Sequence, residues 1–310
     1  KATIVMPVTT PQIKIQAVEA YGADIILHGD SFDDAYGQAM KLATQKKLTF
    51  IPPYDDPDII AGQGTIGMEI LRQYTKPLHA VFVPVGGGGL ISGIAAYIKS
   101  LHPEIKIIGV EPVDSNAMYL SLQKGRRVRL PQVGVFADGV AIKQVGKETF
   151  RLCRELVDEI ILVDTDAICA AIKDVFEDTR VMLEPSGALS VAGAKLYCSR
   201  EELRGKTMVA IASGANMNFD RLRHVSERAE IGEQREAVMS VTVPEMPGSF
   251  KKFCSMLGTK SITEFNYRYD DPKEARVFVG VSVRNRNETK KLIKLLEKNG
   301  LHTEDLSDNE

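Results

Sequence analysis

With 310 residues, 44% of them apolar and 26% charged, and a formal net charge of −2, the chain has the composition of an ordinary globular protein of about two domains. The near-neutral charge argues against a nucleic-acid or anionic-membrane partner, and no apolar run approaches the roughly 20 residues that span a bilayer. Four widely spaced cysteines (Cys153, Cys169, Cys198, Cys254) contain no Cys-x-x-Cys pair and read as free thiols, and five scattered histidines make no metal cluster.

The chain opens directly on a strand over 2–6, with no initiator Met, apolar leader or Arg/Ser-rich transit stretch, so it reads as an internal fragment. A helix over 10–21 ends at Gly22, a strand covers 25–28, and an amphipathic helix over 31–47 starts at Ser31. A Pro-rich loop over 50–57 leads to a helix over 64–74, a buried strand over 79–85 and a helix over 90–101. The strand over 106–111 follows, then an irregular stretch over 125–140. Helices over 145–157 and 166–182 flank a strand over 159–163. A helix over 187–198 and a strand over 207–212 close this half. Such βα alternation predicts a parallel sheet with helices on both faces.

The densest chemical signal is His79-Ala-Val-Phe-Val-Pro-Val-Gly-Gly-Gly-Gly-Leu90. Here a β-branched strand turns through Gly86, Gly87, Gly88 and Gly89 into a helix. Glycine admits φ > 0 and leaves no Cβ to block close approach. Free backbone N–H groups at a helix N-terminus, reinforced by the macrodipole, favour an anion, and a phosphate is the expected occupant. Each glycine costs roughly 0.5–1 kcal/mol relative to Ala inside an element, which argues against a turn of no consequence. A dinucleotide is one candidate. Glu111 ends the next strand and mimics the acidic residue of that fingerprint, but its third glycine would fall at 91, which is Ile.

Pyridoxal phosphate is the other candidate, and it rests on a resemblance. Ala61-Gly-Gln-Gly-Thr-Ile-Gly-Met-Glu69, Pro84-Val-Gly-Gly-Gly-Gly-Leu90, Gly109-Val-Glu-Pro112, Ala137-Asp-Gly-Val140, Leu183-Glu-Pro-Ser-Gly-Ala188 and Ser213-Gly-Ala-Asn216 follow in that order. With Val5-Met-Pro-Val-Thr-Thr-Pro-Gln-Ile-Lys14, they resemble the fold-type II (tryptophan synthase β-like) pyridoxal-phosphate enzymes of the serine/threonine dehydratase family. The resemblance covers residues 1–225 and implies an α/β domain with a parallel sheet, 1–48 mostly small lobe and 49–225 large lobe. It implies that Gly86, Gly87, Gly88, Gly89 and Leu90 bind the cofactor phosphate through their amides. Ser213 would meet the pyridine nitrogen, and Glu184 would face the ring. A hydroxyl cannot hold that nitrogen protonated as an aspartate does, which favours prompt β-elimination. From local sequence alone, Ser213 is equally a helix N-cap, and Glu184 a solvated carboxylate at a helix end. In some serine racemase relatives the place of Glu111 supplies a divalent-cation ligand, but the next acidic position is Ala117 here, so no metal is expected. The family's Schiff-base lysine motif, Ser-x-Lys-x-Arg-Gly, and its Ser-x-Gly-Asn-His motif do not occur. Lys14 and Lys143 lie outside any such context, so no catalytic residue is expected within this chain.

Past residue 225 the pattern changes. A highly charged run, Glu227-Arg-Ala-Glu-Ile-Gly-Glu-Gln-Arg-Glu236, reads as a linker over 226–236 or a short exposed helix. A strand over 237–243, a helix over 248–257, strands over 261–269 and 275–283 and a helix over 286–299 make βαββα, half of a ferredoxin-like α+β unit within 237–310. Gly232-Glu-Gln-Arg-Glu-Ala237, Pro247-Gly-Ser-Phe-Lys-Lys-Phe253 and Thr263-Glu-Phe-Asn-Tyr-Arg268 resemble the ACT-like regulatory domain of the biosynthetic threonine dehydratases, which usually occurs as a tandem pair. This implies deamination of L-threonine, with L-serine as the alternative, to 2-oxobutanoate and ammonia at the head of isoleucine synthesis. It also implies a homotetramer, isoleucine as inhibitor and valine as opposing activator. The compartment would be the plastid stroma for a plant-type source and the cytoplasm otherwise. Phe265 and Tyr267 are candidate effector contacts, or ordinary packing of a half-buried strand. Lacking the lysine, the chain alone is expected to be inactive, which leaves a non-catalytic isoleucine sensor as a rival reading.

Overall fold

A computed structural model describes every residue except 11, 31, 218, 233–235, 269–273 and 308–310. The expected helix start at Ser31, the strand end at 269 and the linker residues 233–235 therefore lie outside the described residues. Strands β1 (Thr3–Met6) and β2 (Asp24–Leu27) pair in parallel as a separate two-stranded sheet. Helix α1 (Gln12–Ala20) joins them and α2 (Phe32–Lys46) follows.

The larger unit runs α3 (Pro57–Gln73), β3 (Ala80–Pro84), α4 (Gly89–Leu101), β4 (Lys106–Pro112) and α5 (Ala117–Gln123). It continues through a 3₁₀ turn (Asp138–Val140), α6 (Lys147–Leu156), β5 (Glu159–Val163), α7 (Thr165–Thr179), α8 (Pro185–Arg200) and β6 (Met208–Ala210). Its strands are all parallel, in the order β5-β4-β3-β6. Strand β3 is buried along its whole length, which explains its unbroken apolar run: both faces are covered. Phe82, Ile108 and Val110 pack toward α7 and α8, whereas Val81, Val83 and Ile107 pack toward α4 and α6. The period-2 alternation of a strand thus feeds two cores at once.

Helix α3 starts at Pro57, not at 64. Asp56 caps it by accepting from the N–H groups of Asp58 and Ile59 at 2.9 and 3.4 Å, and Pro57 sits where no N–H is needed. The glycines that obscure this helix in the sequence let it touch α4. A Cβ on Gly64 would lie 3.1 Å from the Gly93 carbonyl oxygen, and one on Gly93 would lie 2.6 Å from the Gly64 nitrogen. Gly93→Ala is therefore expected to push the helices apart and destabilise the fold by about 2–3 kcal/mol in urea unfolding. A gain of roughly 0.5–1 kcal/mol, the usual reward for removing glycine from a helix interior, contradicts this packing.

Of the two readings of the charged run, the helix is the one seen up to Gly232: α9 (Leu222–Gly232) buries Val225 and Ala229 in the same core as α7, and Arg228 pairs with Asp166. A spacing of four places those two small apolar residues on one face, leaving the charges outside. The charges up to Gly232 thus belong to a surface helix.

Then follow β7 (Glu236–Pro244), α10 (Ser249–Leu257), β8 (Ile262–Arg268), β9 (Glu274–Ser282), α11 (Arg286–Lys298) and β10 (His302–Asp305). These strands form an antiparallel sheet in the order β10-β7-β9-β8. Strand β10 completes βαββαβ, a whole ferredoxin-like unit where the sequence reading expects half. Its His-Thr-Glu-Asp carries no apolar residue, so periodicity has nothing to register. On β7, Ala237, Met239, Val241 and Val243 point inward against Phe253, Leu292 and Leu296 of the two helices. Strand β8 lies at the sheet edge and is exposed throughout.

Candidate cofactor site

Strand β3 delivers the glycines at the carboxyl edge of the sheet, where ligands of open α/β sheets bind. Val85 N–H donates to the Val110 carbonyl at 2.9 Å, and the chain then leaves the ladder. Gly88 adopts φ +94° as the N-cap of α4, a conformation open to glycine but not to β-branched residues. The Gly87 carbonyl accepts from Thr149 Oγ1 at 2.7 Å and from Gly146 N–H at 3.3 Å. Because a trans peptide points its C=O and N–H in opposite directions, the Gly88 N–H faces away from those partners. Among the described residues, no N–H group from Gly86 to Leu90 donates to a protein acceptor. Five free amides at the head of a 13-residue helix make a preformed anion cradle.

The protein presses on this loop from both sides. A Cβ on Gly87 would sit 2.5 Å from Cδ2 of Tyr54, and one on Gly86 would sit 3.0 Å from Cα of Val140. Tyr54 is fixed through its neighbour Asp55, whose carboxylate accepts from the N–H groups of Lys147, Glu148 and Thr149 at the start of α6. That same cap holds Thr149, and through it the Gly87 carbonyl.

Opposite the loop, α8 begins with Pro185 behind Glu184. The Glu184 N–H donates to the Gly214 carbonyl at 3.1 Å, while its side chain makes no capping bond. The carboxylate lies over Gly214, where a Cβ would come within 2.8 Å of Cδ. Ser213 sits in the non-helical segment 211–217, and the next helical turn starts at Phe219, so it is not an N-cap. Besides that Gly214 bond, the segment is anchored by Ile211 N–H to the Phe82 carbonyl at 3.0 Å and by Ser190 Oγ to the Ile211 carbonyl at 2.7 Å.

Gly86, Gly87, Gly88, Gly89, Leu90, Glu184 and Ser213 all line one cavity of about 400 Å³. Tyr54, Asp138, Gly139 and Ser186 line it as well. Sequence reading assigned these four no role, although Asp138, Gly139 and Ser186 stand inside the quoted strings. Lys14, whose lone sequence context carried nothing, reaches this wall: its Nζ donates to Asp138 Oδ2 at 2.8 Å, and Arg221 lies 3.9 Å from Oδ1. The pair ties α1 to the turn that backs the loop.

Glu111 takes no part. Its side chain is fully buried and accepts from Met118 and Tyr119 N–H at 2.9 and 2.8 Å, capping α5. Burial pushes its carboxyl up to about 8, against which the two amide bonds pull only partly. Both carboxylate oxygens are thus committed to a helix end, and Ile91, at the place of the third fingerprint glycine, is fully buried. This geometry offers a ribose nothing. Among the described residues no cluster of three or more metal-ligating side chains exists. All four cysteines are free, and burial pushes the Cys153 and Cys169 thiols up to about 12, out of reach of nucleophilic chemistry.

In the C-terminal unit, Phe265 and Tyr267 share one side of β8. Phe250 of α10 meets their rings edge-on at 5.4 and 6.1 Å, and the Tyr267 hydroxyl donates to Glu245. Sequence reading missed Phe250, which at 44% exposure completes an open aromatic patch.

A family model for pyridoxal-phosphate dependent enzymes matches residues 1–214, and one for the C-terminal regulatory domain of threonine dehydratase matches residues 227–310. A biosynthetic L-threonine dehydratase of Burkholderia multivorans is 59% identical over 313 residues, covering 100% of this chain and 62% of that protein. A chloroplastic biosynthetic threonine dehydratase of Arabidopsis thaliana is 59% identical over 306 residues, covering 99% of this chain and 52% of that protein. Among solved structures, the processed form of threonine deaminase isoform 2 from Solanum lycopersicum aligns with a TM-score of 0.72 at 54% identity, covering 74% of this chain and 63% of that one. The serine racemase of Dictyostelium discoideum aligns with a TM-score of 0.63 at 33% identity, covering 71% and 70%. The chain spans between half and two thirds of the length of those curated relatives.

Proposed function

From the premise that the chain belongs to the pyridoxal-phosphate-dependent enzyme family, we propose that it supplies the cofactor cradle and the regulatory unit for deamination of L-threonine to 2-oxobutanoate and ammonia, the step that commits carbon to isoleucine. The observation that carries this reading is the convergence of five free amides, Ser213 and Glu184 on one cavity, in a chain that continues into a regulatory domain of the threonine dehydratase type.

Bound there, pyridoxal phosphate supplies an electron-withdrawing ring that eases loss of the substrate's α-proton and β-hydroxyl. The amides of Gly86–Leu90 would hold its phosphate. Ser213 offers a neutral hydroxyl, so the protein fixes no positive charge at the far end. Glu184, anchored through its own backbone to Gly214, presents its carboxylate along the same wall. The Schiff-base lysine in its Ser-x-Lys-x-Arg-Gly context is not among these residues, so turnover is proposed for a protein that carries that motif together with this chain.

Regulation is assigned to the patch of Phe250, Phe265 and Tyr267, where exposed rings suit the aliphatic side chain of isoleucine, with valine as its opponent. A homotetramer, L-serine as the alternative substrate, and a plastid stroma or bacterial cytoplasm belong to the same reading. The test is to supply threonine and cofactor to the protein bearing the lysine motif and measure 2-oxobutanoate with and without isoleucine. Formation of the ketoacid, suppressed by isoleucine and restored toward its full rate by Phe265→Ala, is the expected result. Isoleucine binding with no ketoacid at any cofactor concentration would favour a sensor instead.

A further inference from the structure

We propose that Ser186 is a third polar anchor for the cofactor, beside the loop amides and Ser213, an assignment that rests on the cofactor reading above. Ser186 is only 4% exposed, and its Oγ is buried without a hydrogen-bond partner. Buried hydroxyls in folded proteins almost always find a partner, because desolvating one without compensation destabilises the fold. Alanine would fill the same place without that penalty. A serine kept in this state is therefore a group awaiting a partner that arrives with a ligand.

Its position says which ligand. Ser186 lines the cavity shared by the glycine loop, Glu184 and Ser213. On one side lies Gly139, where a Cβ would stand 2.8 Å from Ser186 Oγ, so only glycine leaves room at that wall. Glu184, two residues earlier, brings its Oε1 to the same wall, 3.6 Å from where a Gly139 Cβ would stand, yet forms no hydrogen bond with Ser186 Oγ. The 3₁₀ turn that carries Gly139 also places Val140 against Gly86 of the cradle. Ser186 thus lines the cavity shared by the phosphate cradle and Ser213, linked to the cradle through Gly139 and Val140. Its hydroxyl can donate or accept, which suits a polar substituent on an aromatic ring.

In this role the hydroxyl must weaken the ligand-free protein and strengthen the liganded one. The probe is pyridoxine 5′-phosphate, whose alcohol replaces the aldehyde and so escapes covalent capture by surface lysines. It is titrated by its fluorescence into the full 310-residue chain and into Ser186→Ala, with inorganic phosphate titrated separately and thermal unfolding recorded without ligand. Ser186→Ala is expected to melt at or above the parent temperature and to bind the probe about threefold to tenfold more weakly, the worth of one net hydrogen bond. Inorganic phosphate should bind both chains equally, because the cradle is untouched. Equal probe affinity in the two chains overturns the assignment while leaving the cofactor site standing. A clearly lower melting temperature, or failure of the variant to fold, also overturns it, by showing that the hydroxyl serves the fold. If the parent chain binds inorganic phosphate but not the probe, the cofactor reading itself falls and takes the assignment with it.

Discussion

Replacing Gly88 with valine is expected to weaken pyridoxine 5′-phosphate binding more than a hundredfold and to cost about 3 kcal/mol of stability. Two independent effects add. The position holds φ +94°, where a β-branched residue is a true outlier. A Cβ there would also lie 2.7 Å from Met118 Cε and 2.9 Å from Thr149 Cβ. Thr149 cannot yield cheaply, since it holds the Gly87 carbonyl and is itself fixed at the Asp55 cap. Any relaxation must therefore turn the peptide planes whose N–H groups form the cradle. Gly125→Ala is the control: it also sits at positive φ (+63°) but has open space around it, so it should lose about 1 kcal/mol and no affinity. Fluorescence titration and urea unfolding of both variants measure the two effects separately. Binding within threefold of the parent in Gly88→Val would mean that the loop does not hold the phosphate.

Glu111→Gln is expected to change how stability depends on pH. In the fold the carboxyl is raised to about 8 from an ordinary 4.5, because burial disfavours the charge more than the two α5 amides favour it. The folded state thus holds its proton more tightly than the unfolded chain. The resulting stability is complete below pH 4.5, declines as pH rises toward 8, and is gone above it, at most about 5 kcal/mol in all. Glutamine stays neutral throughout, so that decline should vanish from the variant. Its amide NH₂ cannot accept from one of the α5 amides, which should cost about 1–3 kcal/mol at pH 5. The two stability curves are then expected to cross between pH 5 and 9 in urea unfolding. Curves that stay parallel would show that Glu111 is ionised in its pocket.

What could be read in advance follows from physical contrast along the chain. The cradle was legible because a fully buried strand must be uniformly apolar, and four glycines after it have no cheap structural excuse. Ser213 and Glu184 were legible only through the strings around them, since a serine or a glutamate at a sheet edge has several uses. Tyr54 and Asp55 were hidden in a Pro-rich loop, where no periodicity marks which side chain turns inward. Lys14 and Asp138 lie 124 residues apart, and their pairing depends on how two sheets meet. Glu111 shows the limit of spacing alone: its distance from the glycines mimics the acidic residue of a dinucleotide fingerprint, but its carboxylate caps a helix. In β10 no apolar residue marks the strand, and in α9 Leu222, Val225, Ala229 and Ile231 are interleaved with charges that read equally as a linker.

The most direct test of the central claim is a crystal structure of the chain grown with pyridoxine 5′-phosphate. The phosphate oxygens are expected within hydrogen-bond distance of the Gly86–Leu90 amides, with the ring nitrogen beside Ser213. A ligand bound elsewhere, or a phosphate at the loop with its ring directed away from Ser213 and Glu184, would contradict that claim.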